Sequence, residues 1–262
     1  NFANNGYDNR FNASLNAPVT NFTLSGSETK AHVFGINPDG SEDYLQKISV
    51  VPGTYLIALQ WKEGVASQVN SEGALKDLDI YIVDDFGRLL VGNNRVNVEG
   101  DPTEVIVFRA TGTGTANILI TSPTGATDVP FRYIAFRTTS DDFSPDGLQF
   151  DQYFGNGAST VSGHAMTPES VTVGAVDFNK AQNPVAEGFS SLGGLLSDNS
   201  YNEIDLAAPN RGNTNVRSIG TDLEGDGYPN FVGTSASAPH AAGAVALLMS
   251  ALPPWYPDGL DY

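Results

Sequence analysis

Residues 19–137 repeat one device: a short run rich in β-branched and aromatic side chains, closed by a turn of Gly, Pro, Asn or Asp. The runs fall at 47–51, 54–61, 78–83, 104–108, 116–121 and 131–136, with no helical period between them. Such regular spacing predicts an antiparallel β-sandwich. No internal repeat and no low-complexity tract interrupts it.

Beyond a polar connector at 141–154 the texture changes. Ser170-Val-Thr-Val-Gly-Ala-Val176 is almost continuously apolar, the pattern of a strand covered on both faces in a parallel sheet. Residues 239–252 then predict a helix: Pro239 fits a first turn, Ala and Leu fill nearly every side, and Pro253-Pro254 stops it. A helix apolar all round must sit inside something larger. The second half is therefore expected to be α/β, and the first an all-β neighbour or insertion.

Charge narrows the function. With 30 acidic against 13 basic side chains the net charge is −17, which disfavours nucleic acid and acidic membranes as partners. The chain has no cysteine, so no disulfide staples it. The longest apolar run, 241–249, is half a bilayer span at most, so no membrane span is expected. Asn1 is preceded by neither an initiator Met nor a signal-peptide pattern, and the chain is expected to be a processed product or an excised piece.

The richest stretch chemically is Gly233-Thr-Ser-Ala-Ser-Ala-Pro-His-Ala-Ala-Gly243. It sets a serine in a turn of small residues just before a buried helix, where the helix dipole and free N–H groups favour developing negative charge. Small neighbours let a substrate backbone approach. The stretch resembles the serine signature of the subtilisin-like serine proteases, Gly-Thr-Ser-x-Ala-x-Pro-His, with Ala236 where Met is usual and Ser237 where Ala is usual. Two further segments follow in that family's order: Val171–Asp177 before Phe189-Ser-Ser-Leu-Gly193, which lacks the usual Arg-Gly-Pro ending, and Ile204-Asp-Leu-Ala-Ala-Pro209. The resemblance covers about residues 160–252 and implies that Ser235 is the nucleophile of peptide-bond hydrolysis.

A triad in that family runs Asp, His, Ser along the chain, and only the serine region is recognisable here. His32 lies in a strand-like stretch and is expected at a surface or an edge; His240 belongs to the serine signature, where the family uses it structurally; His164 precedes the 170s strand. None supplies the general base. The resemblance thus implies the C-terminal part of a catalytic domain, with Asp and His upstream and the isolated chain inactive. It also implies an Asn amide at the oxyanion, assigned to Asn1, with Asn156 of Gly155-Asn156-Gly157 as the alternative. Residues 76–87, Lys-Asp-Leu-Asp-Ile-Tyr-Ile-Val-Asp-Asp-Phe-Gly, resemble β-sandwich modules of secreted bacterial proteases.

The resulting division is 1–15 as the end of a protease strand and loop element, 16–140 as a β-sandwich insertion, and 141–262 as the C-terminal part of a subtilisin-like catalytic domain. The expected fold class is α/β, a partial subtilisin-like parallel sheet, plus an all-β antiparallel sandwich. The implied partners are a protein or peptide substrate and the upstream part of the same protease domain, in a secreted or periplasmic bacterial setting. The alternative is a protein- or glycan-binding β-sandwich attached to a vestigial protease. No cofactor is needed for the chemistry. Asp222, Glu224 and Asp226 could wrap a structural Ca²⁺, although a solvated acidic turn has the same composition. Asp77, Asp79, Asp84 and Asp85 offer a second candidate, and Trp61, Tyr81 and Phe86 a candidate sugar- or peptide-binding face, for which core packing is the commoner use.

Overall fold

A computed structural model describes residues 5–14, 29–69, 71–137, 148–153, 160–167, 169–180, 182–216 and 220–251. The chain divides into two compact units, the first made of Asn1–Val161 with Gly193–Asn202, the second of Ser162–Leu192 with Glu203–Tyr262. In chain order the first unit contributes β1 (Gly6–Arg10), β2 (Lys30–Ala31), β3 (Gly35–Ile36), β4 (Glu42–Asp43), β5 (Gln46–Val50) and β6 (Gly53–Trp61). It continues with β7 (Asp79–Val83), β8 (Leu89–Asn93), β9 (Thr103–Ala110), β10 (Gly114–Ser122), β11 (Pro130–Arg137) and β12 (Gln149–Phe150). The second opens with β13 (Val173–Asp177); β14 (Gly194–Leu195) and β15 (Tyr201–Asn202) return to the first; then come β16 (Leu206–Asn210), β17 (Gly212–Asn213), β18 (Asn230–Phe231) and α1 (Thr234–Ala251).

The first unit follows from period-2 alternation. Along β6, Tyr55, Ile57, Leu59 and Trp61 are buried while the residues between them are not. β5 alternates likewise through Gln46, Ile48 and Val50. These strands belong to two antiparallel sheets, one ordered β1-β11-β6-β9 and the other β12-β5-β10-β7-β8 with β2 beside β10. Residues of both sheets, among them Ile48, Ile57, Ile118 and Tyr133, form one apolar cluster. β7 is buried at every position: Ile80 and Ile82 join that cluster, while Tyr81 and Val83 join a second one with Ala31 and Leu119.

The expected α/β class is overturned. The regular structure of the described residues is mostly antiparallel strand with one α-helix, and parallel pairing between strands is confined to β13 and β16, from Val173↔Leu206 to Asp177↔Asn210, beside one isolated parallel bridge, Ala74↔Val98. A parallel sheet grows by repeated strand–helix–strand units. Between β13 and β16 the chain instead makes a 3-10 turn, Phe178–Lys180, and the β14–β15 hairpin, and α1 follows the last strand. The apolar run at 170–176 correctly marks a strand, but an apolar run carries no information about how many neighbours that strand has.

The helix also starts five residues before Pro239, at Thr234. Gly233, at φ +130, breaks the chain direction there, and Pro239 lies inside α1 rather than at its first position. The helix terminator Pro253-Pro254 lies outside the described residues.

Candidate active site

Ser235 occupies the first turn of α1 and is exposed. The Gly233 carbonyl accepts the Ala236 N–H at 3.0 Å and the Ser237 N–H at 3.4 Å. The N–H groups of Thr234 and Ser235 precede any helical acceptor and have no partner among the described residues. Ser235 Oγ is also without a hydrogen-bond partner among them. An exposed hydroxyl beside unspent donors at a helix N-terminus suits attack on a carbonyl whose oxygen turns anionic. Two residues on, Ser237 is fully buried and its Oγ lacks a described partner.

The turn is braced from β16. Asn210, its last residue and fully buried, accepts the Gly233 N–H on Oδ1 at 3.4 Å. Its Nδ2 donates to the Val176 carbonyl at 2.8 Å and to Glu187 Oε1 at 3.0 Å. Arg211 forks onto the same carboxylate, Nε to Oε1 at 2.7 Å and a terminal nitrogen to Oε2 at 3.2 Å. Burial pushes the Glu187 carboxyl up, but the bonds from Arg211 and Asn210 outweigh it and leave it below the ordinary range. Asn210, Glu187 and Arg211 carry no motif. The one local signal is that an Asn-Arg pair directly follows Ile204-Asp-Leu-Ala-Ala-Pro209.

No histidine stands at Ser235 Oγ. The exposed His240 ring turns back on its own helix, Nδ1 lying 2.7 Å from the Ala236 carbonyl oxygen. His164 lies in a 3-10 turn, Gly163–Met166, where its carbonyl accepts the Thr167 N–H and hydroxyl. His32, expected at a surface or an edge, is fully buried against Phe34 and Phe131 in the first unit. Its Nδ1 accepts the Asn12 N–H at 3.1 Å, so the ring proton sits on Nε2, 2.9 Å from the Tyr7 hydroxyl. Burial pushes its pKa down to about 3. Asn1 and Asn156 both lie outside the described residues.

Asp222, Glu224 and Asp226 do converge, their oxygens within 4.8 Å of one another. This oxygen-only set fits a hard cation such as Ca²⁺. The turn nevertheless closes on its own bonds: Asp222 accepts the N–H groups of Gly225 at 2.7 Å, Asp226 at 3.2 Å and Gly227 at 2.8 Å. Those donors, Gly227 first, hold its carboxyl below the ordinary value. Asp77, Asp79, Asp84 and Asp85 form no such group among the described residues. Asp84 caps a turn through Phe86 and Arg88, Asp85 accepts from Asn117, and Asp77 and Asp79 are buried. Trp61 and Tyr81 fall in different core clusters and Phe86 is exposed under Arg88, so they share no face.

Residues 99–261 match the Subtilase family (Peptidase S8), well over half of the chain, and the chain belongs to that family. Over 144 residues, 53% of the chain, it is 32% identical to Subtilisin NAT of Bacillus subtilis subsp. natto, covering 31% of that protein. It is 33% identical to Subtilisin of Bacillus pumilus over the same length, covering 43% of it. The chain thus spans less than half the length of the curated relatives it matches. Among solved structures, the Clostridium perfringens CspB protease aligns with 79% of this chain and 44% of its own at 19% identity, with a TM-score of 0.37, too loose a likeness to bear on the fold. No helix among the described residues is long and apolar enough to cross a membrane.

Proposed function

We propose that this chain carries the nucleophile of a secreted or periplasmic serine endopeptidase acting on protein or peptide substrates. The observation that carries the reading is the exposed Ser235 hydroxyl in the first turn of α1, inside the family-matched segment. Ser235 Oγ attacks the scissile carbonyl carbon, its proton passes through a histidine to the departing amine, and water then hydrolyses the acyl-enzyme ester. The histidine and its orienting aspartate come from outside these 262 residues. The Ser235 N–H and an asparagine amide, from Asn1 or alternatively Asn156, hold the oxyanion.

A serine without its base is a weak nucleophile. The 262-residue chain alone should therefore label weakly with a fluorophosphonate probe, whereas a longer protein that adds the upstream segment should label strongly and lose the label in Ser235→Ala. Peptide hydrolysis that survives Ser235→Ala in the longer protein would reject the assignment. Absence of hydrolysis from the longer protein would favour a binding module over an enzyme.

A further inference from the structure

We infer that Asn210 is a positioning residue for the Ser235 turn and that Glu187, locked by Arg211, sets its amide orientation; the inference rests on the proposed role of Ser235. Gly233 is the hinge on which that turn hangs. At φ +130 it holds a conformation that other residues rarely adopt. Its carbonyl, in the 233–234 peptide, is fixed by Ala236 and Ser237, whereas its N–H, in the peptide before the hinge, meets Asn210 Oδ1.

An asparagine can present either amide atom to Gly233, and only one helps. Glu187 removes the ambiguity. Its Oε1 is an acceptor and cannot face Asn210 Oδ1, so Nδ2 must point to it, and the Val176 carbonyl takes the second Nδ2 proton. Arg211 holds that carboxylate by a two-point fork and keeps it ionised. Arg211 is itself anchored, its N–H donating to the Phe231 carbonyl at 2.9 Å and its carbonyl accepting from Asn230 Nδ2 at 2.8 Å. Asn210 and Glu187 are 23 residues apart, and Gly233 is another 23 beyond Asn210, so the brace exists only in the folded unit. At 3.4 Å the bond to Gly233 is the longest of the set, and a disturbance should appear there first.

Two readouts test this. In the 262-residue chain, Asn210→Ala should move the Gly233 and Ser235 amide resonances and speed Gly233 amide exchange, with helical circular dichroism retained. Asn210→Asp keeps the acceptor for Gly233 but sets a carboxylate against Glu187, so it should disturb the same resonances. The double variant Asn210→Asp with Glu187→Gln exchanges donor and acceptor across that pair, while the Val176 carbonyl still lacks its donor, so it should return them part of the way toward wild type. In the longer enzyme the single variants should lower kcat roughly ten- to a hundredfold with KM little changed, and the double variant should recover part of it relative to Asn210→Asp. Unmoved Gly233 and Ser235 amides in Asn210→Ala would overturn the inference, as would a double variant no better than Asn210→Asp. If the longer protein hydrolyses nothing, the proposed function fails, and the amide resonances still decide whether Asn210 orders the turn.

Discussion

Glu104 enters the first unit at the start of β9, opposite Leu59, with almost no exposure. Oε1 accepts the Arg95 N–H at 2.9 Å, but Oε2 has no partner among the described residues. Burial, then the neighbouring charges of Asp79 and Asp77, push its pKa up to about 8 against the backbone bond from Arg95. Unfolded, the same group ionises near 4.5. Between those values the folded chain holds the extra proton, so this contribution to stability is complete below 4.5 and is lost as pH rises through 8. Glu104→Gln keeps the shape, removes the charge and offers a donor where Oε2 stood. At pH near 8 it should stabilise the protein by roughly 1–3 kcal/mol, with the gain vanishing toward acid. Urea midpoints of both proteins across pH measure this; parallel profiles would contradict it. Nothing at position 104 announces this burden, because the sequence shows a glutamate opening a strand-like run and not the two aspartates that folding brings beside it.

At the scale of elements, α1 shows what pattern can and cannot convey. Its composition marked a helix, but Pro239 suggested a start that the chain reaches five residues earlier, because Gly233, at φ +130, turns the chain after β18 and the Gly233 carbonyl already accepts from Ala236. Pro239 then leaves the Ser235 carbonyl without the N–H that an ordinary residue would supply. Pro239→Ala should restore that bond and raise stability by about 1–3 kcal/mol, read as a higher thermal midpoint with stronger helical circular dichroism. A lower midpoint would mean that the proline ring packs usefully where it lies. The β strands were legible because alternation depends only on near neighbours. Their partners were not: β13 pairs with β16 across about 30 residues, and no local pattern encodes that. The same limit divides the candidate site. Gly-Thr-Ser is contiguous and could be found in the sequence, whereas Asn210, Glu187 and Gly233 meet only through folding.

For the molecule as a whole, the two units differ in what holds them. The first encloses aromatic and branched side chains in its main cluster. The buried apolar residues described in the second are Ala175, Ala208, Ala236 and Ala241, while Val245, Leu247, Leu248 and Met249 of α1 stay exposed. At about 25 cal/mol per Å² of apolar area, such small side chains stabilise little. Residues 193–202 matter for a different reason. They belong to the first unit although the chain on both sides belongs to the second. Asp8 accepts the Ser197 N–H at 2.5 Å, Arg10 donates to the Ser197 carbonyl at 3.2 Å, and Lys62 pairs with Asp198 at 2.6 Å. The backbone therefore crosses between units three times, and residues 193–202 tie the chain of the second unit into the first. Cleavage at a site inserted between Val161 and Ser162 should not release the pieces: they should co-elute in native buffer and part in urea or when Asp8→Ala is combined with Lys62→Ala. Separation of the nicked wild type in native buffer would refute this. If it holds, one proteolytic cut there turns a single polypeptide into a two-chain complex in which the first unit is completed by a segment of the second chain.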